Sequence, residues 1–322
     1  MKKNLLKLFS IFTVLLAFSS CSKKTDEFGW YYNFEDAQKV AQSKNKGILL
    51  FVNSIYDSPE SYNAVKLITE SKEFVSKLSD FVCVHFDFSD PNIFQANIPT
   101  DLTDDEQKAF EKKRAKYEKQ FFTADKYVIK NTPTLLMLTK EGYFVSSINF
   151  DYLSNSVDGY VSKIILEKDS LQELNQKVAL TSKGSNLDKV KAIDELFESQ
   201  DELYRPLLID LYKKIPSLDK ENSSGLVPKY IREIANAEAF ESLIKFDFES
   251  AVNTYIKAAE DKRNTSEDKQ YLYTLAVNVE SNSFNPNIEK IISLLNQAIE
   301  FAPETEDAKN LNLYLTEIQK QQ

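Results

Sequence analysis

The run Lys46-Gly47-Ile48-Leu49-Leu50-Phe51-Val52-Asn53-Ser54-Ile55-Tyr56-Asp57-Ser58-Pro59-Glu60-Ser61 carries the reading of the first half of the chain. Ile48–Val52 is apolar without alternation, which marks a short strand covered on both faces. The stretch Tyr56–Ser61 then reads as a turn into a helix. Ser58 suits an N-cap, Pro59 the first helical position, and Glu60 the positive end of the helix dipole. Capping alone accounts for these three residues.

Working outward, Asn33 is placed to cap a helix whose apolar stripe includes Phe34, Ala37, Val40 and Ala41, with Glu35 and Asp36 in its first turn. A second helix is predicted from Tyr62 to about Leu78, then a strand over Phe81–Phe88. A long charged helix opens with the capping box Thr103-Asp104-Asp105-Glu106. Asn131-Thr132-Pro133-Thr134 leads into the apolar run Leu135–Leu138, a turn at Glu141-Gly142, and a strand over Tyr143–Asn149. Helices alternating with strands, then a hairpin, predict an α/β sheet of mixed direction.

Trp30, the helix containing Ala37 and Ala41, and Lys46–Phe51 resemble the opening of periplasmic thioredoxin-like domains related to the C-terminal domain of the disulfide-reductase transporter family. Asp87 at a strand end, and Thr132-Pro133-Thr134 before an apolar strand, continue the likeness. It covers approximately residues 29–166, with an enlarged insertion at Pro91–Lys126. The resemblance implies a cis bond before Pro133, facing the active-site turn. It also implies a surface, formed by that turn and the proline loop, that binds extended polypeptide. Tyr56, Asp57, Ser58, Pro59, Glu60, Ser61, Thr132 and Pro133 are the candidate binding surface.

The family's Cys-x-x-C pair is missing. Anchored on the preceding strand, Asp57-Ser58-Pro59-Glu60 stands in its place; anchored on the following helix, Ser58-Pro59-Glu60-Ser61 does. Both registers remain open, and neither contains sulfur. A dithiol exchange needs a thiolate and a resolving thiol, so that chemistry is closed at this position.

Cys83, His85 and Asp87 alternate onto one face of one strand, and His85 is the chain's single histidine. Same-face neighbours are roughly 6–7 Å apart at the backbone, too far for a Cys–His pair unless the side chains lean together. A central strand also hides its thiol, so structural core is the expected role. One thiol, one imidazole and one carboxylate fall short of a tetrahedral ligand set, and no metal site is expected. The six glycines, at 29, 47, 142, 159, 184 and 225, lie too far apart for a phosphate-cradling loop, and no cofactor is expected.

From about Val157 the pattern is helical, with polar breaks at Thr181–Asn186, Ile215–Leu226 and Ser281–Asn287. Leu187, Val190, Ile193, Leu196 and Phe197 recur at steps of three and four. Ala251, Tyr255 and Ala258 resemble the second helix of a tetratricopeptide repeat. Ile291, Leu295, Ala298 and Pro303 repeat that frame at an offset longer than the roughly 34-residue standard. The expectation is an all-α domain of degenerate tetratricopeptide-like hairpins; a generic helical bundle with the same small–large packing is the alternative. A repeat array would present a groove for a peptide or partner protein.

The chain opens with Lys2, Lys3 and Lys7, an apolar stretch Leu5–Phe18, and Ser19-Ser20 before Cys21. That is a secretory signal rather than a spanning helix. Phe18-Ser19-Ser20-Cys21 resembles a bacterial lipobox, which implies lipidation of Cys21. Ser22 after it favours the outer membrane, facing the periplasm. Losing residues 1–20 moves the net charge from −9 to −12, which argues against nucleic acid and against broad adhesion to anionic lipid.

The expected organisation is therefore a signal (1–20), a tether (21–28), an α/β thioredoxin-like domain with a mixed sheet and flanking helices (29–166), and a tetratricopeptide-like helical domain (167–322). The expected function is that of a lipid-anchored cell-envelope protein, not expected to be an enzyme because its thiol pair is lost, that binds a protein or extended peptide as a module or scaffold. A thiol–disulfide oxidoreductase or an envelope chaperone of the same family is the alternative.

Overall fold

A computed structural model describes residues 24–54, 59–94, 102–129, 131–148 and 156–320. The chain divides into two compact units between Asn175 and Gln176.

The first unit contains a four-stranded sheet. Its described elements run α1 (Phe34–Lys44), β1 (Gly47–Asn53), α2 (Pro59–Thr69), α3 (Lys72–Lys77), β2 (Phe81–Asp87), α4 (Asp104–Asp125), β3 (Thr134–Leu138), β4 (Phe144–Ile148), α5 (Val157–Leu166) and the start of α6 (Lys168–Leu180). The strand order is β2-β1-β3-β4, with β1 parallel to β2 and the other neighbours antiparallel. The sheet is thus mixed, as the alternation of helices and strands followed by a hairpin predicts.

All seven residues of β1 are buried, the expected state of an unbroken apolar run with neighbours on both edges and layers on both faces. Leu49 and Phe51 join Cys83, Leu135 and Met137 on one face, where Trp30, Val65, Ile68, Phe74 and Ile164 complete a single core. Period-two alternation sends Ile48, Leu50 and Val52 to the opposite face. The helix α1 packs against β1 and β2. Trp30 is wholly buried, stacked on Phe74 at 5.8 Å and tilted against Phe51 at 6.2 Å.

Gly47 is fixed by packing. A Cβ there would lie 2.8 Å from Leu171 Cδ2 and 2.9 Å from Phe81 Cδ1. Gly142 turns the β3–β4 hairpin at φ +91°, where side chains other than hydrogen are strained.

Local signals translate directly. Asn33 accepts from Asp36 N at 3.1 Å, and Thr103 with Glu106 forms the full capping box of α4. The single helix expected from Tyr62 to Leu78 is instead two. Ser71 Oγ accepts from Phe74 N at 3.1 Å and caps a new helix, whose buried Phe74 falls off the face that Val65 and Ile68 set in the first. The strand expected over Phe81–Phe88 ends at Asp87, and the one expected from Tyr143 starts at Phe144, its expected last residue Asn149 lying outside the described residues.

The second unit is all-helical among its described residues. It contains α7 (Asn186–Ser199), the short α8 (Ile209–Tyr212) and α9 (Ile215–Leu218), then α10 (Val227–Leu243), α11 (Phe248–Ala259), α12 (Ser266–Ser281), α13 (Ile288–Phe301) and α14 (Glu306–Lys320). Each of the last five packs on its sequence neighbour. The polar stretch Ile215–Leu226, expected as a break, carries the turn of helix α9 at its start.

Ala251, Tyr255, Ile291, Leu295 and Ala298 are buried in these seams. Ala259, rather than the expected Ala258, is the fully buried small residue at the end of α11. Gln270 closes the C-terminal end of α13 by donating to Ala298 O at 3.2 Å and Ala302 O at 3.0 Å. Orphan helix carbonyls are thereby satisfied inside the core.

Because Leu49 sits at the centre of the sheet core, Leu49→Ala should lower the unfolding free energy of the first unit by about 2–5 kcal/mol. Urea denaturation followed by circular dichroism measures it. A loss below about 1 kcal/mol would contradict the placement of β1.

Candidate functional site

Parallel strands expose their C-terminal ends together, and in α/β sheets ligands collect at that edge. Here the ends are Asn53 on β1 and Asp87 on β2, which are register partners. The Asn53 amide is buried and donates through Nδ2 to Asp87 Oδ1 at 2.6 Å. Its Oδ1 therefore faces His85, whose Nε2 lies 2.6 Å away and must carry the proton. Asp87 Oδ1 also accepts from Ser89 N at 3.0 Å. An Asp–Asn–His string thus runs from the strand ends into the core.

His85 sits between aromatic rings, with centroids 5.6 Å from Phe51 and 5.8 Å from Trp30. Burial pushes its pKa down to about 4, against the opposing pull of the Asp87 and Asp26 carboxylates, while Lys116 pushes the same way as burial. The imidazole is neutral at physiological pH. Cys83, two residues earlier, is 2 % exposed and pairs in register with Leu49. Burial pushes its thiol up to about 12, so almost no thiolate exists near neutral pH. His85 bonds Asn53 and does not form a couple with Cys83.

A second group lies beside the string. Asp26 accepts from Phe28 N, Gly29 N and Trp30 N at 2.7–2.9 Å. Tyr32 is pushed up to about 12 by burial, by the nearby Asp26 charge and by a hydrogen bond to Asp26. The Lys116 ammonium sits 4.1 Å from the centre of the Tyr32 ring, and burial lowers its pKa. Gln120 Nε2 donates to Tyr32 O at 2.8 Å and ties α4 to the same segment.

Of the residues singled out in the sequence, Cys21, Tyr56, Asp57 and Ser58 lie outside the described residues. Pro59 is the exposed first residue of α2, Glu60 follows in its first turn, and Ser61 is buried. The Thr132–Pro133 peptide is cis. Thr132 Oγ1 hydrogen-bonds Ser54 Oγ, which fixes the proline loop against the end of β1. Thr134 continues the contact by pairing with Val52.

Sequence reading missed Asn53, Ser54, Tyr32 and Lys116. Asn53 carries a faint signal, since it is the polar residue that ends an otherwise apolar strand. Lys116 lies within a charged helix and carries none.

Chemically, this edge offers hydroxyls, an amide and a carboxylate in fixed positions, and a sealed neutral imidazole. It is equipped for hydrogen bonding rather than for nucleophilic attack. Among the described residues no group of three or more His, Cys, Asp or Glu could hold a metal ion, and no helix is long and apolar enough to cross a membrane.

Comparison with known proteins places residues 226–322, which contain α10–α14, in similarity to the TP_0391_C family, described as an uncharacterised protein C-terminal domain. No curated protein and no solved structure matches the chain.

His85 supplies a clean readout, because the chain has one histidine. Its folded pKa lies below its unfolded value, so the stability it protects is present above about pH 6.5 and lost as pH falls toward 4. The loss amounts to about 3 kcal/mol. The imidazole proton resonance in NMR should titrate well below 6.5. An apparent pKa of 6.5 or higher would contradict the buried string.

Proposed function

We propose that the chain is a lipid-anchored cell-envelope protein that binds another polypeptide as a module or scaffold. In this reading Cys21 carries the lipid at an outer membrane facing the periplasm. The first unit is a thioredoxin-like domain that works without redox chemistry. The helical unit is a degenerate tetratricopeptide-like array.

The carrying observation is the apolar surface of the helical unit. Phe240, Ile244, Phe246, Phe284 and Leu313 are each more than half exposed although their helices are otherwise well packed. Two of them, Phe246 and Phe284, meet with ring centroids 5.8 Å apart, and large apolar side chains left exposed together mark interaction surfaces. The cis Thr132–Pro133 bond, the mixed sheet and the polar strand ends support the thioredoxin-like reading of the first unit. The successive packed hairpins α10–α14 support the repeat reading. Thiol exchange at Cys83 has its burial and its raised pKa against it.

The test is cross-linking followed by affinity capture of the tagged, lipidated protein from detergent-solubilised envelopes. One discrete protein should be recovered with the whole chain and lost when residues 240–322 are removed. Repeated recovery of none, or recovery unaffected by the truncation, would defeat the reading. Suppression of client aggregation with no discrete partner would favour the chaperone alternative instead.

A further inference from the structure

The turns α10–α11 and α12–α13 fall at the same end of the helical unit, because successive antiparallel helices alternate direction. Each turn carries a projecting phenylalanine. Phe246 is 68 % and Phe284 80 % exposed, with ring centroids 5.8 Å apart. Phe248 packs edge-on to Phe284 at 5.2 Å. Phe246 holds the left-handed backbone conformation at φ 59°, rare for a bulky residue. A hydrophobic side chain is thus presented to solvent by a backbone geometry that side chains ordinarily avoid.

The segment bearing Phe284 also borders an open cleft of about 340 Å³. Pro286, Ile288, Ile291, Tyr314, Ile318 and Glu317 line it. Phe284 lies between Ser281 and Pro286, both of which line the cleft, so one segment carries the ring pair and one wall of a cleft with mixed polar and apolar lining.

The charged residues that flank it in sequence are mostly acidic. The exposed acidic residues next in sequence to these side chains are Asp247, Glu249 and Glu289, and Glu317 stands in the cleft wall. Lys245 and Lys320 are the exposed basic residues close in sequence, and Lys290 is held by Glu280 at 2.7 Å. The carboxylates outnumber the available lysines. Such a rim repels a second copy of itself and anionic lipid, and attracts a basic partner.

We infer that this end of the helical unit docks a positively charged amphipathic helical segment of another protein. Its apolar anchors enter the Ile288–Tyr314 cleft and pack on Phe284, and its lysines or arginines meet the carboxylate rim. The mode is helix-in-groove recognition, with apolar anchors giving affinity and charge giving selection. The inference rests on the protein-binding reading above and names the partner class for its helical unit.

The test uses the whole chain without its signal and fluorescent synthetic peptides as probes. One is a Leu/Lys amphipathic helix and the other has every Lys replaced by Glu. The Lys peptide should bind at least about tenfold more tightly than the Glu peptide. The double variant Phe284→Ser/Ile288→Ser should lose about tenfold of that affinity. Both positions are exposed, so the thermal melt should not move. Tyr62→Ser, on the first unit, should leave binding unchanged.

Equal binding of the two peptides, binding indifferent to the double variant, or uptake of phosphatidylcholine vesicles through this patch in place of the peptide would each overturn the assignment. If the double variant still captures the envelope partner, the patch assignment falls while the protein-binding reading stands.

Discussion

Everything in the first unit depends on burying β1 from every side. A strand with no exposed residue must have a neighbour on each edge and a layer on each face. That requirement makes β1 an inner strand, flanked by β2 and β3, and calls for a covering layer on each face. It also places Gly47 where no side chain would fit beside Phe81 and Leu171. The aromatic cluster of Trp30, Phe51 and Phe74 packs within the core on one of its faces.

The same burial decides the chemistry. Cys83 lies on the covered face of β2, opposite Leu49, so desolvation holds the thiol in its neutral form. At the strand ends the backbone leaves the core, and there the polar groups gather as Asn53, Asp87, Ser54 and Thr132. The covered face is inert while the strand ends carry hydrogen-bonding groups. The recognition role proposed above draws on these polar groups, and the burial of Cys83 stands against thiol exchange there. The helical unit adds what the sheet lacks, a projecting apolar surface at Phe246 and Phe284.

Signals that act over a few residues were legible in advance. The apolar run Ile48–Val52, the Asn33 cap and the Thr103–Glu106 box each need only their own neighbourhood, and each appears where it was expected. The helix break at Ser71 was missed, although it left two traces: Phe74 and Leu78 fall off the face that Val65 and Ile68 set for one continuous helix, and Ser71 is a residue type that caps a new one. The Asp87–Asn53–His85 string was hidden for a different reason. It depends on the pairing of β1 with β2 and on side chains 32 and 34 residues apart. Alternation alone put Cys83, His85 and Asp87 on one face but gave no account of Asn53, which supplies the bond His85 makes. The exposure of Phe246 and Phe284 likewise follows from which helix ends meet, a matter of tertiary packing.

The most direct test of the central claim is native-state alkylation of Cys83, read by mass spectrometry in a folded Cys21→Ser form where it is the one remaining thiol. Iodoacetamide at pH 8 should leave Cys83 unmodified in the folded protein and modify it fully in urea. Rapid modification without denaturant would contradict the sealed face and reopen thiol chemistry as this protein's work.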